Sequence, residues 1–303
     1  MYNTLMRLFR KKLDLQRAQV RLLGVADLNT VSRLLRDAPR RYYGLSSGDL
    51  LALLEAHQGL GLELDHTLCA VVVAGWPFGT TCWLRALALA DGVELERGVA
   101  LLLEGLAPIL HARGVQTVFY AGDEGSDSWL IPLLKHLGFT LETEVLVYEK
   151  RRLAAPALGA QHVQIRPATS VDLAEVLRLD QRCFEPQWVK DSLIIRDAIR
   201  QGPYFMLAEQ HETLIGYAYA TTHFNGRLVH LVRIAVAPEL RGTGVGVRLL
   251  ADLVDYAARL PAHVMTLNTQ AYNLRAQHLY RWFGFRPTGE VQQVLRYTIG
   301  EKS

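Results

Sequence analysis

The chain has 303 residues, of which 50% are hydrophobic and 21% are charged. This composition excludes disordered and collagen-like chains, and the length indicates about two globular domains. The formal net charge of +3 is too small to indicate nucleic-acid binding, and no apolar run reaches the ~18–20 residues of a membrane-spanning helix.

The first 19 residues carry basic side chains without a long apolar stretch, so we expect no signal peptide. They predict a solvated N-terminal helix or arm, or alternatively a basic amphipathic helix that touches a membrane or the ribosome. The three cysteines, Cys69, Cys82 and Cys183, are odd in number and widely spaced. They fit no metal pattern, which favours reduced thiols in a cytoplasmic protein without a bound metal.

A segment rich in Ala, Pro and Gly, residues 151–161, separates two strand-like stretches and has the composition of a linker. The sequences on its two sides resemble each other. Gly138-Phe139 recurs as Gly284-Phe285 at an offset of 146 (284 − 138), and residues 98–106 resemble residues 246–254 at an offset of 148 (246 − 98).

Two copies of one fold are the simplest account of this internal repeat. We therefore predict a first domain over residues 1–150, the linker over 151–161 and a second domain over 162–303. In the second copy, periodicity predicts a mixed α/β sheet. The predicted order is strand 162–168, helix 170–184, strands 204–210, 214–224 and 228–238, helix 243–260, strand 263–270, helix 273–284 and strand 290–299.

Three glycines, Gly242, Gly244 and Gly246, follow an apolar strand and open the predicted helix 243–260, with Arg241 directly before them. Glycines let backbone N–H groups approach a ligand, and a helix N-terminus offers unpaired donors and a positive dipole end. The stretch therefore predicts a phosphate-binding loop. A Walker A loop is excluded because Gly-Lys-Ser/Thr is absent, and the spacing disfavours a dinucleotide fingerprint. A purely structural glycine turn is the alternative.

The stretch "VRIAVAPELRGTGVGVRLL" resembles the coenzyme signature of the Gcn5-related N-acetyltransferase (GNAT) family, and "LNTQAYNLRAQHLYRWFGF" resembles its next motif. The resemblance covers residues 162–298. The first half of the chain resembles the family only in outline. The resemblance implies an α/β fold of two tandem GNAT-like domains, each a mixed, mostly antiparallel twisted sheet flanked by helices. It also implies acetyl-CoA as co-substrate. The residues that it implies for coenzyme binding are Ile234, Ala235, Val236, Arg241, Gly242, Thr243, Gly244, Val245, Gly246 and Asn273.

The resemblance also implies that Tyr280 protonates the leaving thiolate, whereas a buried core aromatic is the alternative. An ammonium group cannot attack a thioester, so a base must take its proton. His230 is our candidate, with Glu209 and His223 as alternatives, and a structural histidine is an equally good interpretation. Ribosomal-protein N-terminal acetyltransferases resemble this half, but their glutamate corresponds to Asn268 here, so their peptide specificity is not transferred.

The first copy departs from these motifs. Residues 93–98, "VELERG", stand where the second copy has its glycines, and they bring Glu94 and Glu96 to the expected phosphate position. Asp127 and Leu134 replace the asparagine and the tyrosine. We therefore predict a degenerate first domain that binds no acetyl-CoA.

The sequence as a whole predicts an acetyl-CoA-dependent N-acetyltransferase whose catalytic domain is the C-terminal one. The acceptor is expected to be a small-molecule amine or a peptide amine, with no nucleic-acid or membrane partner, in a monomer or homodimer. The alternative is a non-catalytic or regulatory protein that only binds acyl-CoA.

Overall fold

The computed structural model describes residues 12–45, 49–123, 125 and 128–300. The predicted N-terminal helix falls largely on residues 1–11, which lie outside these ranges, as does Asp127. The contacts divide the chain into two compact units. The first unit comprises residues 1–142 and 293–303, and the second comprises residues 143–292.

The first unit is built on a sheet in the order β1-β3-β4-β5-β6, followed by the second half of the last strand, β13 (Arg286–Thr298), with β2 paired to β5 outside this path. β5 and β6 run parallel, and the other described pairs are antiparallel. The strands are β1 (Gln19–Leu23), β2 (Arg40–Tyr43), β3 (Gly59–Leu64), β4 (Thr67–Ala74), β5 (Thr81–Leu89) and β6 (Thr117–Asp123), and the helices are α1 (Leu28–Asp37), α2 (Asp49–Glu55), α3 (Leu95–Ala112) and α4 (Leu130–His136).

The second unit has the order β7-β12-β11-β10-β9-β8, with the first half of β13 beside β7. β11 and β12 run parallel, and β10, β9 and β8 follow in antiparallel pairs. The strands are β7 (Thr140–Lys150), β8 (Gln164–Pro167), β9 (Tyr204–Gln210), β10 (Thr213–His223), β11 (Leu228–Val236), β12 (Val264–Gln270) and β13 (Arg286–Thr298), and the helices are α5 (Leu173–Cys183), α6 (Ser192–Gln201), α7 (Val245–Ala258) and α8 (Leu274–Trp282).

Both sheets are covered by helices on both faces, which explains their long apolar strands. In β4, Val71 and Val73 join one buried cluster and Ala70 and Val72 the other. In β10, Tyr217 belongs to one buried cluster and its neighbour Ala218 belongs to another. Successive side chains of a strand point to opposite faces, so each strand supplies two cores.

The tandem repeat predicted from the sequence is confirmed by the strands. β5 and β11 both have nine residues, and β11 begins 147 positions later (228 − 81). β6 and β12 both have seven residues and show the same offset (264 − 117). The chain is therefore an α/β protein with two copies of one mixed sheet.

Residues 286–292 of the last strand belong to the second unit, and residues 293–298 belong to the first. Leu295 is fully buried in the core of the first unit, although it lies near the end of the chain. Lys135 donates to the side chain of Gln293 at 2.8 Å, and the N–H of Ile299 donates to the carbonyl of Gln116 at 2.8 Å. The first unit therefore contains a segment that is more than 140 residues distant in sequence.

Candidate active site

The parallel pair β11 and β12 separates in the middle of the second unit. The ladder runs from Leu228↔Val264 to Leu231↔Leu267, and within the described residues no strand pairs with β11 on that side beyond Leu231. The register of β11 with β10 shifts at Val232, which is a β-bulge and bends the strand away. The backbone edge of β11 from Val232 to Val236 therefore faces a gap in the sheet.

The gap leads to the glycine stretch. A 3-10 turn, Pro238–Leu240, follows β11, and Gly242 and Gly244 then adopt φ of +93° and +92°. A side chain is strained at such φ values, and a Cβ at Gly242 would face open space. Gly244 precedes α7, and no side chain caps this helix. The first amides of α7 are therefore open donors at the positive end of a helix dipole.

Arg241 is held beside this loop by two carbonyl groups. Its Nε donates to Val236 at 3.3 Å, and its guanidinium donates to the carbonyl of Cys183 at 3.0 Å. The thiol of Cys183 also donates to Val236 at 3.3 Å. The end of α5, the end of β11 and the glycine loop are thus tied together by one arginine.

The third element of the site is α8. Asn273 caps it, because its Oδ1 accepts the N–H of Ala276 at 3.2 Å. A Cβ on Gly246 would lie 3.6 Å from Leu279 and 3.7 Å from Val236, so α8 meets the glycine loop and β11 at this point. The structure therefore brings together the strand edge, the glycine loop and the helix that carries Tyr280.

Tyr280 is buried, with 5% of its surface exposed, in the core between the sheet and α7. Its ring lies 6.4 Å from that of Tyr148 and 6.1 Å from that of Phe285. Burial raises the pKa of the Tyr280 hydroxyl well above its usual value, so the phenol is protonated at neutral pH. A protonated phenol can donate to a leaving group, and the same burial suits a core aromatic.

His230 lies on the opposite face of the sheet from the cluster of Tyr280, since its neighbours Val229 and Leu231 point into that cluster. Its Nδ1 lies 2.9 Å from the hydroxyl of Thr266. Burial, with smaller contributions from nearby His223 and Lys190, lowers the pKa of His230 to about 4. An unperturbed histidine has a pKa of about 6.5, and the desolvation of this strand position is the reason for the difference.

Glu209, another candidate base, belongs to an ion-pair network that recurs in the first unit. Arg166 donates to Glu209 at 2.6 Å and to Asp172 at 2.7 Å. Arg21 does the same with Glu63 at 2.5 Å and Asp27 at 2.7 Å. A network that is present in both copies serves the shared fold, so we interpret Glu209 as structural. His223 is exposed, and its Nε2 lies 3.0 Å from the hydroxyl of Thr221.

A buried ion pair lies beside the gap and was not predicted from the sequence. Arg233, on β11 directly after the bulge, lies 3.1 Å from the carboxylate of Asp180 on α5. The guanidinium also donates to the carbonyl of Trp188 and lies 3.8 Å from the ring centre of Phe184. The other oxygen of Asp180 accepts the N–H of Lys190 at 2.8 Å.

This ion pair thus fixes the loop from Phe184 to Lys190 against β11. The loop meets the segment after β12, where the Trp188 indole donates to the hydroxyl of Tyr272 at 2.9 Å and this hydroxyl donates to Glu185 at 3.0 Å. Arg233 within an apolar strand and Asp180 on the apolar face of a helix were the available sequence signals.

In the first unit the chain itself fills the equivalent positions. β5 pairs with β6 only from Thr81 to Trp83, and β2 then pairs with the same edge, from Arg40↔Leu89 to Tyr43↔Ala86. With the offset of 147, Ala86–Leu89 corresponds to the open edge Arg233–Val236 of β11. The gap that is open in the second unit is therefore closed by a strand.

The helix N-terminus of the first unit is filled as well. Glu94 caps α3, accepting the N–H of Glu96 at 3.2 Å and of Arg97 at 3.0 Å. A carboxylate of the chain thus occupies the anion-binding end of this helix. Leu134 is fully buried in the core at the position of Tyr280.

Within the described ranges, no group of three or more His, Cys, Asp or Glu side chains is placed to hold a metal ion. No helix in this part of the chain is long and apolar enough to cross a membrane.

The model of the acetyltransferase (GNAT) family matches residues 173–285, which include the glycine loop, Asn273 and Tyr280. The putative ribosomal protein bS18-alanine N-acetyltransferase of Bacillus subtilis (strain 168) is 28% identical over 120 residues, covering 39% of this chain and 77% of that protein. The thialysine N-epsilon-acetyltransferase of Bos taurus is 26% identical over 164 residues, covering 44% of this chain and 96% of that protein.

Among solved structures, a tandem GNAT protein from the clavulanic acid biosynthesis pathway superposes with a TM-score of 0.62. Its sequence is 14% identical, and the match covers 94% of this chain and 100% of that chain. At 14% identity, the similarity shows a common fold and nothing further.

Proposed function

Because the chain belongs to the GNAT family of acetyltransferases, we propose that its second unit transfers an acetyl group from acetyl-CoA to a primary amine and that its first unit does not. The observation that carries the proposal is the contrast between the units. The second presents an open strand edge that leads to an uncapped, glycine-flanked helix N-terminus. The first fills both features with its own chain.

The residues of the second unit fit acetyl-CoA, which would supply an acetyl group as a thioester. The glycine loop and the first open amides of α7 suit a pyrophosphate, because unpaired N–H groups and a helix dipole favour an anion. Within the loop, the N–H of Thr243 already donates to the carbonyl of Leu240 at 3.4 Å. Arg241 adds positive charge at the loop. The edge of β11 at Ile234–Val236, along which no described strand pairs, can pair with an extended amide chain as an added strand would, beside the two side chains that donate to the Val236 carbonyl. Asn273 keeps its side-chain N–H₂ available while its oxygen caps α8.

We assign the role of general acid to Tyr280, whose raised pKa keeps the proton on the phenol. His230 is our candidate for the base; it lies on the other face of β11, two residues before the gap, where it pairs with Thr266. Because the acceptor amine must lose a proton before it attacks, an acid and a base on opposite faces of β11 would serve the two proton transfers.

If His230 is the base, kcat/KM should rise with pH through an apparent pKa near 4, because only the neutral imidazole accepts a proton and burial lowers its pKa to about 4. His230→Ala should remove this rise of kcat/KM with pH and lower the rate by ~10²-fold or more. The pH profile of coenzyme A release measures both effects.

His263→Ala, at an exposed histidine of the same unit, is the matched control and should leave the profile unchanged. If kcat/KM of His230→Ala still rises with pH in the same way, the base is another group or a water chain.

We propose a primary amine as the acceptor. The two relatives are named for a ribosomal-protein alanine and for thialysine, so one name specifies a protein amine and the other a small-molecule amine. Coenzyme A release with a panel of amines tests the activity, and mass spectrometry of a cell extract incubated with labelled acetyl-CoA identifies the product. Binding without release for any amine would favour a regulatory acyl-CoA-binding protein instead.

Titration of the full chain with acetyl-CoA should give a stoichiometry of about one, because β2 and Glu94 occupy the equivalent site in the first unit. Calorimetry measures this number directly. Glu94→Gln should leave the stoichiometry unchanged, since β2 still covers the strand edge. A second saturable site would contradict the proposal that the first unit is self-filled.

A further inference from the structure

The segment between the two halves of the sequence is part of the core of the second unit. Ala160 is 9% exposed and Val163 is 1% exposed, and both join the buried cluster beneath α7. Leu153 and Ala155 pack against the same cluster. Although its composition is that of a flexible linker, the segment has a defined path along this unit.

That path touches the glycine loop through one hydrogen bond. The N–H of Ala160 donates to the carbonyl of Gly244 at 3.3 Å, and the same carbonyl accepts the N–H of Arg248 at 2.9 Å. In a planar trans peptide, the C=O and the following N–H point in opposite directions. Two donors on the Gly244 carbonyl therefore also set the direction of the Val245 N–H, the first open donor of α7.

The approach is so close that only glycine fits at position 159. Gly159 has φ of +72°, and a Cβ there would lie 2.4 Å from the Arg248 nitrogen and 2.7 Å from the Gly244 oxygen. Both atoms are backbone, so no side-chain rotation relieves the overlap. From the other side, a Cβ on Gly244 would lie 3.2 Å from the Ala160 nitrogen. The two glycines thus allow the linker and the loop to meet backbone to backbone.

We propose that Gly159 and Ala160 are positioning residues for the coenzyme site, holding the glycine loop in the conformation that binds the pyrophosphate. This inference rests on the proposed function of the loop. Through this contact the affinity for coenzyme A depends on the conformation of the linker. A shift of the linker turns the Val245 N–H away from the anion and weakens binding.

Gly159→Ala tests this inference in the full chain, with coenzyme A as the probe. The Kd from calorimetry should rise by about tenfold or more, the loss expected for one charge-assisted hydrogen bond. Gly226→Ala is the matched control, because Gly226 has φ of +81° but a Cβ there would come no closer than 3.6 Å to a neighbour, Pro261. Both variants place alanine at a left-handed position, and only the first displaces the loop. The control Kd should stay within about twofold.

A measurement on the wild-type protein tests the same coupling without a substitution. Because coupling between two sites is reciprocal, coenzyme A should slow hydrogen exchange in the peptide that spans residues 153–163. An unchanged Kd in folded Gly159→Ala, or unchanged exchange on saturation with coenzyme A, overturns the inference. Failure of the wild-type chain to bind coenzyme A would instead contradict the proposed function.

Discussion

Replacement of Tyr280 by phenylalanine should lower turnover by about 10²–10⁴-fold while leaving the affinity for acetyl-CoA nearly unchanged. The substitution removes only the hydroxyl, which is the proton donor in our proposal, and keeps the ring that packs near Tyr148 and Phe285. Stopped-flow measurement of coenzyme A release, together with calorimetric affinity, separates the two quantities.

Tyr256→Phe is the matched control, since Tyr256 packs at the edge of the same core with its ring 4.9 Å from that of Tyr204. This control should retain normal turnover. If Tyr280→Phe instead lowers the melting temperature but turns over normally per folded molecule, Tyr280 is a core aromatic and the general acid lies elsewhere.

The second large effect is expected at the glycine loop. Gly244→Glu should weaken acetyl-CoA binding by at least about tenfold, because the side chain blocks open amides and brings a negative charge to the pyrophosphate position. Gly244 has φ of +92°, so part of the effect comes from backbone strain. Calorimetry on the folded variant measures the total.

Two controls separate strain from charge. Gly244→Ala introduces the strain without the carboxylate and should have the smaller effect on affinity. Gly289→Glu introduces the same side chain at φ of +90°, in open space away from the loop, and should leave the affinity unchanged. Unchanged affinity in a folded Gly244→Glu would mean that the loop is only a structural turn.

The sequence contains much of the fold because the relevant signals are local. Apolar strands, glycine stops and the repeat of Gly138-Phe139 at Gly284-Phe285 depend on residues close in sequence, and they predicted two copies of one α/β fold. The glycine loop, Asn273 and Tyr280 could be selected for the same reason, since each lies in a short motif.

Pairing between strands that are distant in sequence could not be predicted from such local signals. Nothing in residues 40–43 indicates that they close the edge of β5, because the pairing joins segments more than 40 residues apart. Glu94 was predicted to repel a phosphate, and the structure shows that it also caps α3. The pKa of His230 and the burial of Asp180 with Arg233 likewise depend on neighbours from distant strands and helices.

The position of residues 293–299 determines the order in which the chain can fold during synthesis. Domains generally fold from the N-terminus as the ribosome makes them. Here the first unit lacks Leu295 and the partners of Gln116 and Lys135 until residues 293–299 have been translated. The second unit is complete at residue 292. The unit that is synthesised first is thus the later of the two to be completed, and a truncation after residue 292 removes part of its core.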